Sequence, residues 1–214
     1  MIESIVFDFG GVVAEEGFRD GLRAIGAKNG LDPEQFFAVA GELIYGTGYV
    51  TGQADEAAYW NAVRQATGLR GADAALRQEI IARFVPRRDM LEEADRLRKQ
   101  GLGVSILSDQ TDWLDEVDRR THFSLHFDHV FNSFYLKKSK RDSSLFPAVA
   151  AQLGRTAEEI LFVDDNGANV ARAASQGWKT ILFRNIQDFR REMADLLPAC
   201  CRLPLHTVRA AEKI

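Results

Sequence analysis

The chain has 214 residues, 46% hydrophobic and 27% charged, with 17 glycines and 5 prolines. That is long enough to bury one or two cores without staples, and it excludes collagen-like, disordered and disulfide-scaffold classes. The net charge of −4 argues against a non-specific nucleic-acid binder, but not against a small anionic substrate at a locally positive site.

The first short apolar run, residues 5–7, stops at Asp8. Three similar runs follow: 104–107 ending at Ser108, 160–163 ending at Asp164, and 180–183. A weaker strand candidate covers 129–132. Short, continuously apolar, β-branched runs suit strands covered on both faces in a parallel sheet. Between them lie helical patterns: Met90, Leu91, Ala94 and Leu97, closed by Gly101; Trp113, Leu114 and Val117; Phe146, Val149, Ala150 and Leu153, closed by Gly154; and Val170, Ala173 and Ala174, closed by Gly177. Strands alternating with helices predict βαβ units.

Residues 15–86 interrupt the alternation, with helical patterns at 33–45, 55–67 and 73–84. Asp32 and Pro33 read as N-cap and first helical residue. The expected fold is therefore α/β, a doubly wound parallel sheet of Rossmann-like type, with an all-helical cap inserted after the first strand. The expected division is 1–14 and 87–200 for the core, 15–86 for the cap and 201–214 for a tail. Cys200 and Cys201 are adjacent, so they staple no distant segments. No apolar run approaches the roughly 18 residues of a membrane helix, and Glu3 and Asp8 do not suit a signal peptide. A cytoplasmic protein is expected, a monomer or homodimer, without nucleic-acid or membrane partners.

In an open parallel sheet, ligands sit beyond the carboxyl ends of the strands. Asp8, Ser108 and the pair Asp164 and Asp165 all fall there, and a basic cluster of Lys137, Lys138, Lys140 and Arg141 precedes a helix. Three carboxylates at close range repel one another, which calls for a divalent cation, and an oxygen-only donor set points to Mg²⁺.

These segments resemble the four ordered motifs of the haloacid dehalogenase (HAD) superfamily. They are Ile-Val-Phe-Asp8-Phe-Gly10-Gly11-Val-Val, Ser-Ile-Leu-Ser108, Lys140-Arg-Asp-Ser-Ser-Leu-Phe146, and Leu-Phe-Val-Asp164-Asp165-Asn-Gly-Ala-Asn169. The resemblance runs to about residue 190, with the cap in the usual slot. It implies a Mg²⁺-dependent phosphomonoester hydrolase, a sugar phosphate being one candidate substrate. Asp8 would be the nucleophile forming an aspartyl phosphate. Ser108 would hold a phosphoryl oxygen, with Asp109 and Gly11 beside the substrate. Lys140 would steady the nucleophile and the phosphoryl charge. Asp8, Asp165, Asp164 and the backbone of Gly10 would form the metal site, supported by Asn169.

Three departures stand out. Phosphatases of the family usually carry a second aspartate two positions after the nucleophile, as acid and base; here that position is Gly10. The loss of such a group commonly costs about 10²–10⁴-fold in rate. Glu15 and Glu16 are the nearest replacements in sequence. Asp109 stands where asparagine is frequent, and Arg141 replaces the usual proline. Two alternatives follow. A 2-haloacid dehalogenase also lacks the second aspartate, although its Asp-x-Tyr-Gly-Thr pattern differs from Asp8-Phe-Gly-Gly-Val. A catalytically impaired binding or regulatory protein is the other. His122, His126 and His129 have a spacing that on one helix would suit zinc, but the surrounding aromatics argue for packing instead. Tyr45, Tyr49, Tyr59 and Trp60 read mostly as cap core, with one or two facing the substrate.

Overall fold

The structure is a computed structural model and describes residues 1–196. Cys200, Cys201 and the expected tail lie outside the described residues. Five parallel strands form one sheet: β1 (Ser4–Phe7), β2 (Gly103–Ser108), β3 (His129–Asn132), β4 (Ile160–Asp164) and β5 (Lys179–Leu182). Their order is β3-β2-β1-β4-β5. From β1 the chain builds first toward β2 and β3 on one side, then crosses to β4 and β5 on the other. The crevice at the carboxyl end of β1 is therefore the topological switch point, where such sheets place their ligands.

The apolar runs are continuous because both faces of the sheet are covered. Ile5 and Phe7 of β1 join Val104, Ile106, Leu161 and Val163 in the core on one face. Val6 joins Leu107, Ile160 and Phe162 on the other, where Phe146 and Trp178 pack over them. The central strands β1 and β4 are buried along their whole length, whereas β3 and β5, at the edges, expose residues. This explains why residues 129–132 make the weaker strand signal.

Between β1 and β2 come α1 (Gly17–Lys28), α2 (Pro33–Gly46), α3 (Glu56–Thr67), α4 (Asp73–Ile81) and then α5 (Arg88–Lys99), the crossover helix that leads into β2. Asp32 caps α2 through the Gln35 N–H at 2.8 Å, and Asp55 caps α3 through the Ala58 N–H at 2.8 Å. The helix α1 is absent from the expected elements, because its glycines lower helix propensity. They serve packing instead: a Cβ on Gly21 would lie 2.7 Å from the Ile80 backbone, so only glycine lets α1 seat against α4.

The remaining helices are α6 (Trp113–Thr121), α7 (Ser133–Leu136), α8 (Leu145–Leu153), α9 (Gly167–Ser175) and α10 (Ile186–Leu196). Of these, α7 and α10 are additions to the sequence reading. The helical insert shares one continuous apolar cluster with the sheet face beneath it. Trp60 stacks on Trp113 of α6 with ring centroids 5.8 Å apart, and Tyr49 meets the same ring edge-on at 5.5 Å. Such pairs add about 0.5–1.5 kcal/mol each beyond area burial. Among the described residues, no helix is long and apolar enough to cross a membrane.

Candidate active site

The switch point collects the strand-end residues. Asp8 follows β1 directly, and its N–H donates to the Val163 carbonyl at 2.8 Å, so the ladder with β4 carries one step past the strand. Asp8 Oδ1 accepts three donors: the Phe9 N–H at 2.7 Å, Ser108 Oγ at 2.6 Å and Lys140 Nζ at 2.8 Å. Its other oxygen accepts no hydrogen bond among the described residues. The carboxylate is thus pinned by one oxygen and open for chemistry at the other.

Lys140 is 1% exposed and bridges two acids, Asp8 and Asp164, the second at 2.6 Å. Burial alone would lower its pKa. The charges of Asp164, Asp8 and Asp109 outweigh burial and hold the ammonium protonated beyond the usual lysine range. Burial raises the Asp8 carboxyl from 3.8 to about 7, opposed by Lys140 and reinforced by Asp164. The other members of the basic cluster have partners other than Asp8 and Asp164. Lys137 donates to the Gly52 carbonyl, Lys138 to Ser144, and Arg141 pairs with Glu42 of α2. Lys140 is therefore the lysine of the site.

Asp164 is fully buried and heavily partnered. The Asn166 N–H donates to Oδ1 at 2.7 Å, and Asn169 Nδ2 donates to Oδ2 at 3.1 Å. Asp165 lines the cavity, and burial, followed by the Asp164 charge, raises its carboxyl above the usual range. Asp8, Asp164 and Asp165 bring one carboxylate oxygen each to within 4.8 Å of one another. Three acids face a single ammonium. An all-oxygen donor set with excess negative charge fits a hard divalent cation such as Mg²⁺.

Gly11 does not line the cavity; it makes room for Asp165. Its φ of +80° is a left-handed conformation, and a Cβ there would lie 2.6 Å from the Asp165 Cγ. Gly10 lines the cavity beside Asp8. The awkward carboxylate of Asp109 has a role the sequence did not reveal. Its Oδ1 accepts the Lys140 N–H at 2.8 Å and its Oδ2 accepts the Tyr45 hydroxyl at 3.1 Å. It thereby anchors the loop carrying Lys140 and ties it to α2.

A cavity of about 580 Å³ opens over these groups and is roofed by the insert. Phe18, Phe37, Ile44 and Tyr45 form much of its roof, with Arg19 and Arg141 as cations at the wall. Of the four insert aromatics singled out in the sequence, Tyr45 faces the cavity, while Tyr49, Tyr59 and Trp60 are buried in packing. Arg141, in the place of a proline, lies 3.5 Å over the Tyr45 ring. The three histidines do not converge. His122 ends α6 with a positive φ, His126 pairs with Asp95 at 2.9 Å, and His129 stacks along β3 on Phe131.

A strand-end carboxylate held by a hydroxyl and a buried lysine, next to paired acids, on a parallel sheet with an inserted helical roof, defines a hydrolase of the HAD class. The family model for haloacid dehalogenase-like hydrolase matches residues 2–177, and the chain belongs to that family. Rat bifunctional epoxide hydrolase 2 is 31% identical over 123 residues, which is 54% of this chain. The chain spans 22% of that protein's length. A HAD family enzyme from Bacteroides thetaiotaomicron superposes with a TM-score of 0.73 at 21% identity, covering 90% of this chain and 98% of the other. L-2-haloacid dehalogenase from Xanthobacter autotrophicus, with chloropropionic acid covalently bound, superposes with a TM-score of 0.65 at 21% identity, covering 91% and 83%. These structural likenesses carry the fold.

Proposed function

We propose that the chain is a Mg²⁺-dependent hydrolase of small phosphomonoesters, working through an aspartyl phosphate on Asp8. The observation that carries this reading is the convergence of Asp8, Asp164 and Asp165 within 4.8 Å, beside the single buried ammonium of Lys140. A carboxyl displacement of a halide needs no such acid cluster, whereas a phosphoryl dianion needs compensating charge. Solved relatives support the assignment: the Bacteroides thetaiotaomicron enzyme has been crystallised with magnesium and inorganic phosphate.

Asp8, Asp164, Asp165 and the backbone at Gly10 would hold the cation, which when bound neutralises phosphoryl charge. The unbonded Asp8 oxygen attacks phosphorus while Ser108 and Lys140 hold its partner oxygen. Lys140 has a third proton beyond those given to Asp8 and Asp164 and can donate it to a phosphoryl oxygen as charge builds, whereas Ser108 can do so only by turning its one hydroxyl proton away from Asp8. Asp109 acts by positioning the Lys140 loop. The roof excludes bulk water and selects the alcohol. Its lining sets Phe18, Phe37, Ile44 and Tyr45 beside Arg19, Glu42 and Arg141, which suits a leaving group with both an apolar and a polar face.

The direct test is Mg²⁺-dependent phosphate release from an aryl phosphate and a panel of small phosphomonoesters, with Asp8→Asn as control. Release that depends on Asp8 and on the metal supports the reading. Chloride release from a 2-haloacid without metal would replace it with the dehalogenase alternative. Absence of both activities would leave a binding protein.

A further inference from the structure

We propose that Glu16 is the catalytic acid and base that Gly10 does not supply, an assignment that rests on the phosphatase reading. An alkoxide leaves phosphorus poorly unless it is protonated, and water attacks the aspartyl phosphate poorly unless it loses a proton. The cavity must therefore offer a carboxyl beside Asp8 that neither a cation nor the metal cluster has claimed. Asp164 is locked on Lys140 and Asn169. Both oxygens of Asp109 accept donors, the Lys140 N–H and the Tyr45 hydroxyl. Glu15 turns outward and is bound by Arg87 through two contacts of 3.0 Å.

Glu16 alone of these has a free oxygen at the right place. The backbone after β1 folds back on itself: the Ala14 N–H donates to the Phe9 carbonyl at 2.8 Å, and Ala14 bridges to both Gly10 and Pro86. This turn returns Glu16 to Gly10. A Cβ placed on Gly10 would lie 3.3 Å from the Phe84 ring and 3.7 Å from both Glu16 Oε2 and Gln110 Nε2, so the carboxyl is one of three groups that border residue 10. Glu16 is the N-cap of α1, and its Oε1 accepts the Arg19 N–H at 3.3 Å. Oε2 accepts no hydrogen bond and makes no ion pair among the described residues. Glu16 also lines the cavity together with Asp8 and Asp165. Gly17 secures the arrangement, because it lets the start of α1 lie against Phe84, where a Cβ would sit 2.7 Å from the Phe84 nitrogen.

The proton account closes on itself. In the first half, the Asp8 oxygen bonds to phosphorus, the bond from phosphorus to the alcohol oxygen breaks, and that oxygen takes the electron pair and the Glu16 proton. In the second half, water attacks phosphorus and gives its proton to the Glu16 carboxylate. The bond from phosphorus to Asp8 breaks with its electron pair returning to the carboxylate, and inorganic phosphate departs.

The test compares the full chain with Glu16→Gln on phenyl phosphate, whose leaving group needs a proton, and dinitrophenyl phosphate, whose leaving group does not. The substituted side chain keeps the cap on the Arg19 N–H through its amide oxygen. The expected result for Glu16→Gln is a burst of dinitrophenol within about twofold of the wild-type rate, followed by turnover slowed by roughly 10²-fold or more. Phenyl phosphate cleavage falls by roughly 10²–10⁴-fold. Glu15→Gln leaves both substrates unchanged. Equal leaving-group dependence in wild type and Glu16→Gln overturns the assignment while the phosphatase reading stands on its Asp8 dependence. Loss of the burst itself also overturns it, since that assigns Glu16 to phosphoryl or metal binding. A wild-type chain without Asp8-dependent release overturns the underlying reading and the assignment with it.

Discussion

Replacing Lys140 by methionine removes the one cation that two buried carboxylates share. Nζ lies 2.8 Å from Asp8 Oδ1 and 2.6 Å from Asp164 Oδ2, and the side chain is 1% exposed. At an effective dielectric of about 20, a unit-charge pair at such separations attracts by roughly 6 kcal/mol. Desolvation of the ammonium offsets much of that attraction. What remains is the imbalance that Lys140→Met creates: two acids buried together with no counter-charge, a class of change that costs about 3–5 kcal/mol. For a chain of this size each kcal/mol is worth about 2–4 °C, so the melting temperature falls by about 6–20 °C. The assay is thermal unfolding at neutral pH with a chelator present, so that no added cation substitutes for the lysine. Lys140→Met combined with Asp164→Asn should recover part of the loss, because one unpaired charge is then removed. A drop under about 3 °C, or no recovery in the double variant, would show that the ammonium does not neutralise the pair and would refute the electrostatic account.

Four further outcomes follow from the site. Asp165→Asn removes one of three clustered carboxylates, so stabilisation by Mg²⁺ in a thermal-shift titration should weaken by at least about tenfold in apparent affinity. Burial raises Asp165 above the usual carboxylate range, so protons compete with the cation earlier than at an exposed acid. The same Mg²⁺ shift should therefore shrink as pH falls from about 8 to about 5. Gly11→Ala forces a Cβ into the Asp165 carboxylate at a positive φ, and should lower stability by about 1–3 kcal/mol together with Mg²⁺ affinity, read by the same titration. Glu42→Gln breaks a largely solvent-exposed pair with Arg141, and unfolding should shift by less than about 1 kcal/mol.

How much of the site was legible depended on what marked each residue. Asp8, Ser108, Asp164 and Asp165 stood out because a sheet covered on both faces demands apolar runs, and the first polar residue after each run marks the carboxyl edge. Lys140 was distinguished from its neighbours by motif resemblance, and burial between two acids sets it apart structurally. The helix α1 was hidden, because glycines that spoil intrinsic propensity are chosen there for contact with α4. Asp109 looked misplaced until two donors, Tyr45 and the Lys140 backbone, arrived from distant parts of the chain.

By itself, the order of apolar runs, polar strand ends and glycine-closed helices determined a parallel α/β core, the interruption by a helical insert, and the membership of the acid cluster. These are local or periodic properties, readable one segment at a time. Tertiary structure decided which oxygens remain free. Glu15 and Glu16 are equivalent as adjacent letters, yet the turn over residues 10–14 sends one to Arg87 and the other to the space beside Gly10. That choice depends on where the backbone returns and which cation is already waiting, and neither is encoded within a single segment.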